Sequence, residues 1–252
     1  MKQHYVQRAY IELFFQPTKK GKRLLVYHKN DHRWQTAQSG ANLLQMADWQ
    51  SDAAESEDGK IESRTFPVIK RLSQGQTQLN SDETALVKEW VALHSNRKKQ
   101  DMDHFKRNGQ NVGQGRNAFK TLDKLWLEHR CVRVEKSDVD LILSDALILE
   151  VAIRGETCVM FAAGPCTLVM LPPISRQNFK INNPNLSIGA LFNRLAARVS
   201  MNCYIAPAIA KHYEDLPQAE LDTTRISQHQ QAFVGNLDET VKMLMSLPSP
   251  NT

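Results

Sequence analysis

The chain has 252 residues, of which 41% are hydrophobic and 23% are charged. That length can bury one substantial core, and the composition is typical of a folded globular protein and excludes a disordered one. A formal net charge of +5 and a pI near 9.0 are mildly basic, which favours an anionic partner.

We expect a cytoplasmic protein without a membrane-spanning segment, because the sequence has neither a long apolar run nor the pattern of a signal peptide. The longest apolar-rich run, 141–153, is interrupted by Ser144, Asp145 and Glu150, and the N-terminus lacks the apolar region of a signal peptide. The cysteines show no zinc or redox spacing, so we expect reduced core thiols. They are Cys131, Cys158, Cys166 and Cys203.

The N-terminal segment is first aromatic and then basic. Residues 4–15 allow either a strand or a short helix from Gln7. Residues 18–22 are typical of a turn, and a strand over 23–28 would complete a hairpin. A phosphate-contacting loop is one explanation of the surrounding cations, and a solvated turn is the commoner one. These cations are Lys19, Lys20, Lys22, Arg23, Lys29 and Arg33.

The next segment alternates predicted helices and loops. A short helix is predicted over 42–49, and the acidic residues 51–60 predict a mobile loop because they offer little apolar surface. Asn80 followed by Glu83 resembles a capping box, which predicts a helix that ends near His94.

A basic connection with three glycines spans residues 95–116. Gly109, Gly113 and Gly115 match neither the P-loop nor the dinucleotide-binding pattern, so a flexible connection is favoured over a nucleotide site. It is still the best candidate for a loop that contacts nucleic acid. The candidate substrate-binding residues here are Lys98, Lys99, Lys106 and Arg107.

The second half of the chain predicts a β core followed by helices. Strand-like segments at 131–135, 141–153, 157–162 and 167–171 favour an antiparallel meander. Further helices are predicted around 119–129, at 188–199 and from Asn236, and a strand is predicted at 203–206.

The whole pattern predicts an α+β fold. Its antiparallel β core consists of the N-terminal hairpin and the central meander, with a mid-chain helical insertion and C-terminal helices. We expect a single domain over 1–246 and a flexible tail over 247–252.

Acidic residues in the β core raise the question of a metal. A carboxylate within a buried strand is unfavourable unless it is paired or bound to a cation, which singles out Asp145 and Glu150. Metal-dependent nucleases often carry Glu-x-Lys on a strand, but this chain has Glu150-Val151-Ala152. A surface position explains Glu150, and Ser144 with Asp145 can form a turn. The cofactor stays unknown, with a divalent metal as one option.

Three segments have the sequences Gln3-His4-Tyr5-Val6, with aromatic residues after it, Leu143-Ser144-Asp145 and Leu191-Phe192-Asn193-Arg194-Leu195. The first resembles the N-terminal Gln-His-Tyr-Val-Pro motif of a bacterial family of unknown function, and the other two resemble later motifs of that family. Gln7 replaces the family's proline, so the chain would be a divergent member. The family brings no established activity.

That resemblance implies that His4, Tyr5, Ser144 and Asp145 belong to recurring motifs that meet in space. A histidine oriented by an aspartate can act as a general base. The alternative is structural: His4 ties the N-terminal strand to the β core, and Asp145 caps a turn.

Two functions follow from these patterns. The first is a phosphodiester-acting enzyme, such as a nuclease-like effector in bacterial defence, with His4, Asp145 and Glu150 as catalytic residues. Its substrate would bind Tyr5, Arg8, Ser144 and the four cations of the basic connection. The second is a non-catalytic module that binds nucleic acid or protein. The oligomeric state stays open.

Overall fold

The structure is a computed structural model. It describes residues 2–4, 6–47, 52–95, 127–153, 156–172, 187–200 and 202–207. Antiparallel sheets and helices make up the described part, so the predicted α+β class, with its N-terminal hairpin, central meander and mid-chain helices, is confirmed.

Eleven strands and four α-helices lie in the described residues. The strands are β1 (Lys2–His4), β2 (Gln16–Thr18), β3 (Gly21–His28), β4 (Arg33–Ala37), β5 (Gln45–Ala47), β6 (Arg133–Lys136), β7 (Leu143–Ser144), β8 (Leu149–Ile153), β9 (Glu156–Gly164), β10 (Thr167–Leu171) and β11 (Cys203–Pro207). The helices are α1 (Arg8–Ile11), which a 3-10 turn follows, α2 (Asp52–Ser73), α3 (Ser81–Ser95) and α4 (Ile188–Val199).

All strand pairings among the described residues are antiparallel. One sheet has the order β6-β10-β9-β8, which contains the predicted meander. A second has the order β2-β3-β11-β7, with β4 also paired to β3, and β1 pairs with β5 in a small third sheet. Strand β11 therefore lies between the N-terminal hairpin and β7.

An aromatic cluster joins α1, α3 and β9. The Tyr10 ring lies 5.1 Å from that of Trp90, and Trp90 lies 4.6 Å from Phe161, measured between ring centroids. The Tyr10 hydroxyl donates a hydrogen bond to the carbonyl oxygen of Ala162. Burial raises the pKa of Tyr10 well above its ordinary value, so the hydroxyl keeps the proton that it donates.

The capping box predicted for α3 is present. The Asn80 backbone N–H donates to Glu83 Oε2 at 3.0 Å, and the Glu83 N–H donates to Asn80 Oδ1 at 2.9 Å. Both partners thus satisfy a backbone donor at the helix start, which explains why the helix begins where the sequence predicts.

The prediction of a mobile loop over 51–60 is wrong, because α2 begins at Asp52 and continues to Ser73. Its second half buries Val68, Ile69 and Leu72, while its first half is acidic. Packing of the second half against α3 and β9 stabilises the helix, and the acidic residues extend it without supplying much apolar surface.

Two further local predictions are wrong. The helix over 42–49 is replaced by β5, because Gln45–Ala47 pairs with β1, which lies far away in sequence. The single strand over 141–153 is divided into β7 and β8, which belong to different sheets. The chain turns between them, with Leu147 at φ +55°.

Several predictions fall on residues outside the described part. They concern the basic connection after Ser95, the part of the helix predicted over 119–129 that precedes residue 127, the helix from Asn236 and the tail over 247–252. These stay predictions, as does the domain boundary at residue 246.

Candidate functional site

Asp145 lies in the turn after β7, and only 2% of its surface is exposed. Its Oδ2 accepts hydrogen bonds from the backbone N–H groups of Asn202, at 2.8 Å, and Cys203, at 3.3 Å. The side-chain amide of Asn202 donates to the same oxygen at 3.2 Å. The carboxylate therefore binds the backbone where the chain enters β11.

Ser144 belongs to a chain of hydroxyl groups beside Asp145. Its Oγ accepts the Ala146 N–H at 3.0 Å and lies 2.8 Å from Ser200 Oγ. Ser200 Oγ also lies 2.8 Å from the carbonyl oxygen of Ala196, which can only accept. Since each hydroxyl has one proton, Ser200 donates to Ala196 and Ser144 donates to Ser200. Both hydroxyl groups therefore donate their protons to acceptors within the protein.

Lys29 holds the end of α4. Its Nζ donates to the carbonyl oxygens of Ala197, Arg198 and Ser200 at 3.1, 3.3 and 2.7 Å. Those carbonyls lie at the C-terminus of a helix, where a cation is electrostatically favourable. One of the six cations assigned to the N-terminal hairpin thus has a structural role.

His4 and Asp145, the pair predicted from the sequence, are positioned by two different sheets. His4 is in β1, where its backbone is opposite Gln45, whereas Asp145 follows β7 in the sheet of β11. The side chains of His4 and Tyr5 lie outside the described part of the structure, so their proximity to Asp145 stays a prediction. Arg8 is exposed and forms an ion pair with Glu12 at 2.9 Å.

Glu150 belongs to a different sheet from β7, the strand that Asp145 follows. It is exposed on β8, opposite Val159, in the four-stranded sheet. Within the described residues, no group of three or more His, Cys, Asp or Glu side chains could hold a metal ion. The four cations predicted to bind substrate, Lys98, Lys99, Lys106 and Arg107, lie outside the described residues.

Two of the four cysteines, Cys158 and Cys166, have surroundings that disfavour the thiolate. Cys158 is buried, and this burial raises its thiol pKa to about 12. Cys166 is exposed, so the expectation of four core thiols is wrong for it. Its thiol pKa is also raised, by partial burial and by the nearby Asp140 carboxylate. High thiol pKa values keep both groups protonated at neutral pH.

Sequence reasoning missed a groove between α2 and α3. Its volume is about 690 Å³. Among the described residues, those that line it are Ile61, Arg64, Ser81, Thr84, Ala85, Leu86, Lys88, Glu89, Ala92, Leu93, Leu127 and Glu128. The available signal was the spacing of Ala85 and Ala92, because small residues seven positions apart lie on the same face of a helix.

Two cations at the rim of this groove are bound by other groups of the protein. Arg64 of α2 forms an ion pair with Glu89 of α3. Lys88 Nζ donates to the carbonyl oxygen of Glu128 at 2.9 Å. Alkyl and methyl groups from residues such as Ile61, Leu86 and Ala92 are left to line the interior, so the groove is suited to an apolar occupant.

Comparison with protein-family models, with curated proteins and with solved structures gives no match. The resemblance to a bacterial family through residues 3–6 and 143–145 therefore stays a prediction. Among the helices that the structure describes, none combines the length and the apolar character needed to cross a bilayer.

Proposed function

We propose that the protein is a non-catalytic binding module that holds an amphipathic helix of a partner protein between α2 and α3. The single observation that carries this proposal is the groove of about 690 Å³. Its α3 wall extends from Ser81 to Leu93, which is roughly 18 Å at 1.5 Å per residue. Three turns of a partner helix match this length.

The chemistry of the groove favours the apolar face of a helix over a polar small molecule. Arg64 is paired with Glu89, and Lys88 is bound to the Glu128 carbonyl, so two of the cations at the rim already have partners. A helix would place apolar side chains at positions i, i+3, i+4 and i+7 against residues such as Ile61 and Leu93.

The walls of the groove are fixed in position by contacts at their ends. Arg71 near the end of α2 forms an ion pair with Glu83 in the first turn of α3. The capping box of Asn80 and Glu83 holds the same turn. A pre-formed groove reduces the ordering that a partner must impose on binding.

A selection experiment tests the proposal. A display library of amphipathic helical peptides is selected on the wild-type protein, and enriched peptides are titrated against Ala85→Arg and Ser56→Arg. Ala85 is an exposed residue of the groove, whereas Ser56 is an exposed α2 residue outside the groove lining. Both substitutions add the same side chain and charge.

We expect the enriched peptides to carry apolar residues at helical spacing. They should bind Ala85→Arg at least about tenfold more weakly than Ser56→Arg, which corresponds to a loss of ~1.4 kcal/mol in binding free energy. Equal binding to both variants, or no enrichment, would argue against the groove as a protein-binding site. Enrichment of peptides without helical spacing would point to another kind of occupant.

A further inference from the structure

The tip of the β2–β3 hairpin displays a dense group of positive charges, which we call the hairpin tip and define as residues 19–23. Four of these five residues are cationic: Lys19, Lys20, Lys22 and Arg23. The three lysines are exposed, and Arg23 is half-buried. Consecutive exposed residues show that the turn projects from the sheet.

The backbone of the hairpin tip is fixed by local contacts. Thr18 Oγ1 donates to the Gly21 carbonyl oxygen at 2.6 Å and accepts the Lys20 N–H at 3.2 Å. Gly21 has φ +93°, which glycine adopts without strain. The lysines are therefore presented on a defined turn.

Within the described part of the chain, the lysines of the hairpin tip also lack carboxylate partners. Opposite Lys22 and Arg23 on β2 are Pro17 and Gln16, which carry no charge. Among the described residues, none of Lys19, Lys20 and Lys22 forms an ion pair.

Several arginines elsewhere in the described part form ion pairs with neighbouring carboxylates. Examples are the pairs Arg8–Glu12, Arg33–Asp31, Arg64–Glu89, Arg71–Glu83 and Arg133–Glu135. The hairpin tip, by contrast, carries four cations within five residues and no acidic residue, so these cations repel one another until an anion binds.

We propose that the hairpin tip contacts the phosphate backbone of duplex nucleic acid. A two-stranded β-ribbon fits the major groove, and lysines bind phosphates with release of counterions. Residues 17–23 contain no large apolar side chain that could enter a bilayer, which favours a nucleic acid over a lipid surface. This inference is independent of the groove between α2 and α3.

Salt-dependent binding of the full chain to a fluorescent duplex of about 20 base pairs tests the proposal. The hairpin variant carries Lys19→Gln, Lys20→Gln and Lys22→Gln. The matched control carries Lys60→Gln, Lys70→Gln and Lys136→Gln, three exposed lysines on other elements. Both variants remove three positive charges, so they separate a local effect from one of net charge.

If three phosphate contacts are lost, the slope of log K against log salt falls by about 2.7, at roughly 0.9 per contact. Between 50 and 200 mM salt, the wild-type affinity then decreases about 40-fold more than that of the hairpin variant. We expect the control to keep the wild-type slope, and a variant with Lys19→Arg, Lys20→Arg and Lys22→Arg to keep it as well.

Three results would overturn the proposal. The first is an equal loss of slope in the hairpin and control variants. The second is wild-type binding that does not depend on salt, or no binding. The third is binding to phosphatidylserine vesicles that requires the hairpin lysines while duplex binding does not. Circular dichroism of each variant verifies that the fold is unchanged.

Discussion

Lys29 and Asp145 hold the same connection, between α4 and β11, through opposite kinds of backbone group. The Lys29 ammonium donates to the carbonyls of Ala197, Arg198 and Ser200. The Asp145 carboxylate accepts from the N–H groups that follow, at Asn202 and Cys203. Each charge matches the polarity of the backbone that it binds.

Asp145→Ala should reduce the free energy of unfolding by about 2–4 kcal/mol, because it removes the hydrogen-bond acceptor for the partly buried backbone N–H groups of Asn202 and Cys203. Urea denaturation measures this loss. Glu150→Ala, at an exposed position on β8, is the control and should change stability by less than about 0.5 kcal/mol. A small effect of Asp145→Ala would exclude a capping role for this carboxylate.

The phosphodiesterase hypothesis is tested at His4. If the protein is a binding module, the wild type should not cleave labelled DNA or RNA, with or without Mg²⁺ or Mn²⁺. If His4 is a structural residue, His4→Ala should lower the Tm. Cleavage that His4→Ala abolishes while the Tm stays nearly constant would instead identify an enzyme with His4 at its active site.

Replacement of glycine by alanine should have opposite effects on the free energy of unfolding at two positions, Gly164 and Gly59. A Cβ at Gly164 would lie 2.6 Å from Ser73 Cβ and 3.0 Å from its Cα, where α2 meets β9. Gly164→Ala should therefore lower the free energy of unfolding by about 1–3 kcal/mol.

Gly59, within α2, has no neighbouring atom within 4 Å of an added Cβ. Gly59→Ala should raise stability by about 0.5–1 kcal/mol, since alanine is the better helix former. Thermal and urea unfolding of both variants provide the measurement. A loss of stability in Gly59→Ala, or a neutral Gly164→Ala, would contradict this packing of α2.

Sequence reasoning succeeded where a local pattern determines the structure. Asn80 and Glu83 lie three residues apart, and their reciprocal hydrogen bonds need nothing from the rest of the chain. The turn at 18–22 likewise closes through Thr18 and Gly21. Such short-range contacts are visible in residue type and spacing alone.

Sequence reasoning failed where distant segments determine the structure. The acidic start of α2 is helical because the same helix buries residues 68, 69 and 72 in the core. Strand β5 forms because it pairs with β1, which is distant in sequence. For the candidate site, the turn-capping alternative for Asp145 could be stated from the sequence. Its partners at 202–203 could not, because β11 is more than fifty residues away.

Acid should reduce the stabilising effect of Glu83. The Asn80 backbone N–H lowers the pKa of this carboxyl below its ordinary value, and Arg71 adds to the effect. A lowered folded-state pKa gives stability that is complete above the unfolded-state pKa and is lost as pH falls through the folded-state value. Glu83→Gln can still accept the Asn80 hydrogen bond, so it removes mainly the charge.

The Tm difference between the wild type and Glu83→Gln should therefore be largest near pH 7 and shrink by about pH 3, as measured by thermal unfolding. Glu57→Gln, at an exposed position on α2, serves as the control for the removal of one carboxylate elsewhere in the chain. A Glu83→Gln difference that stays constant over the same pH range would show that the carboxylate charge does not stabilise the start of α3.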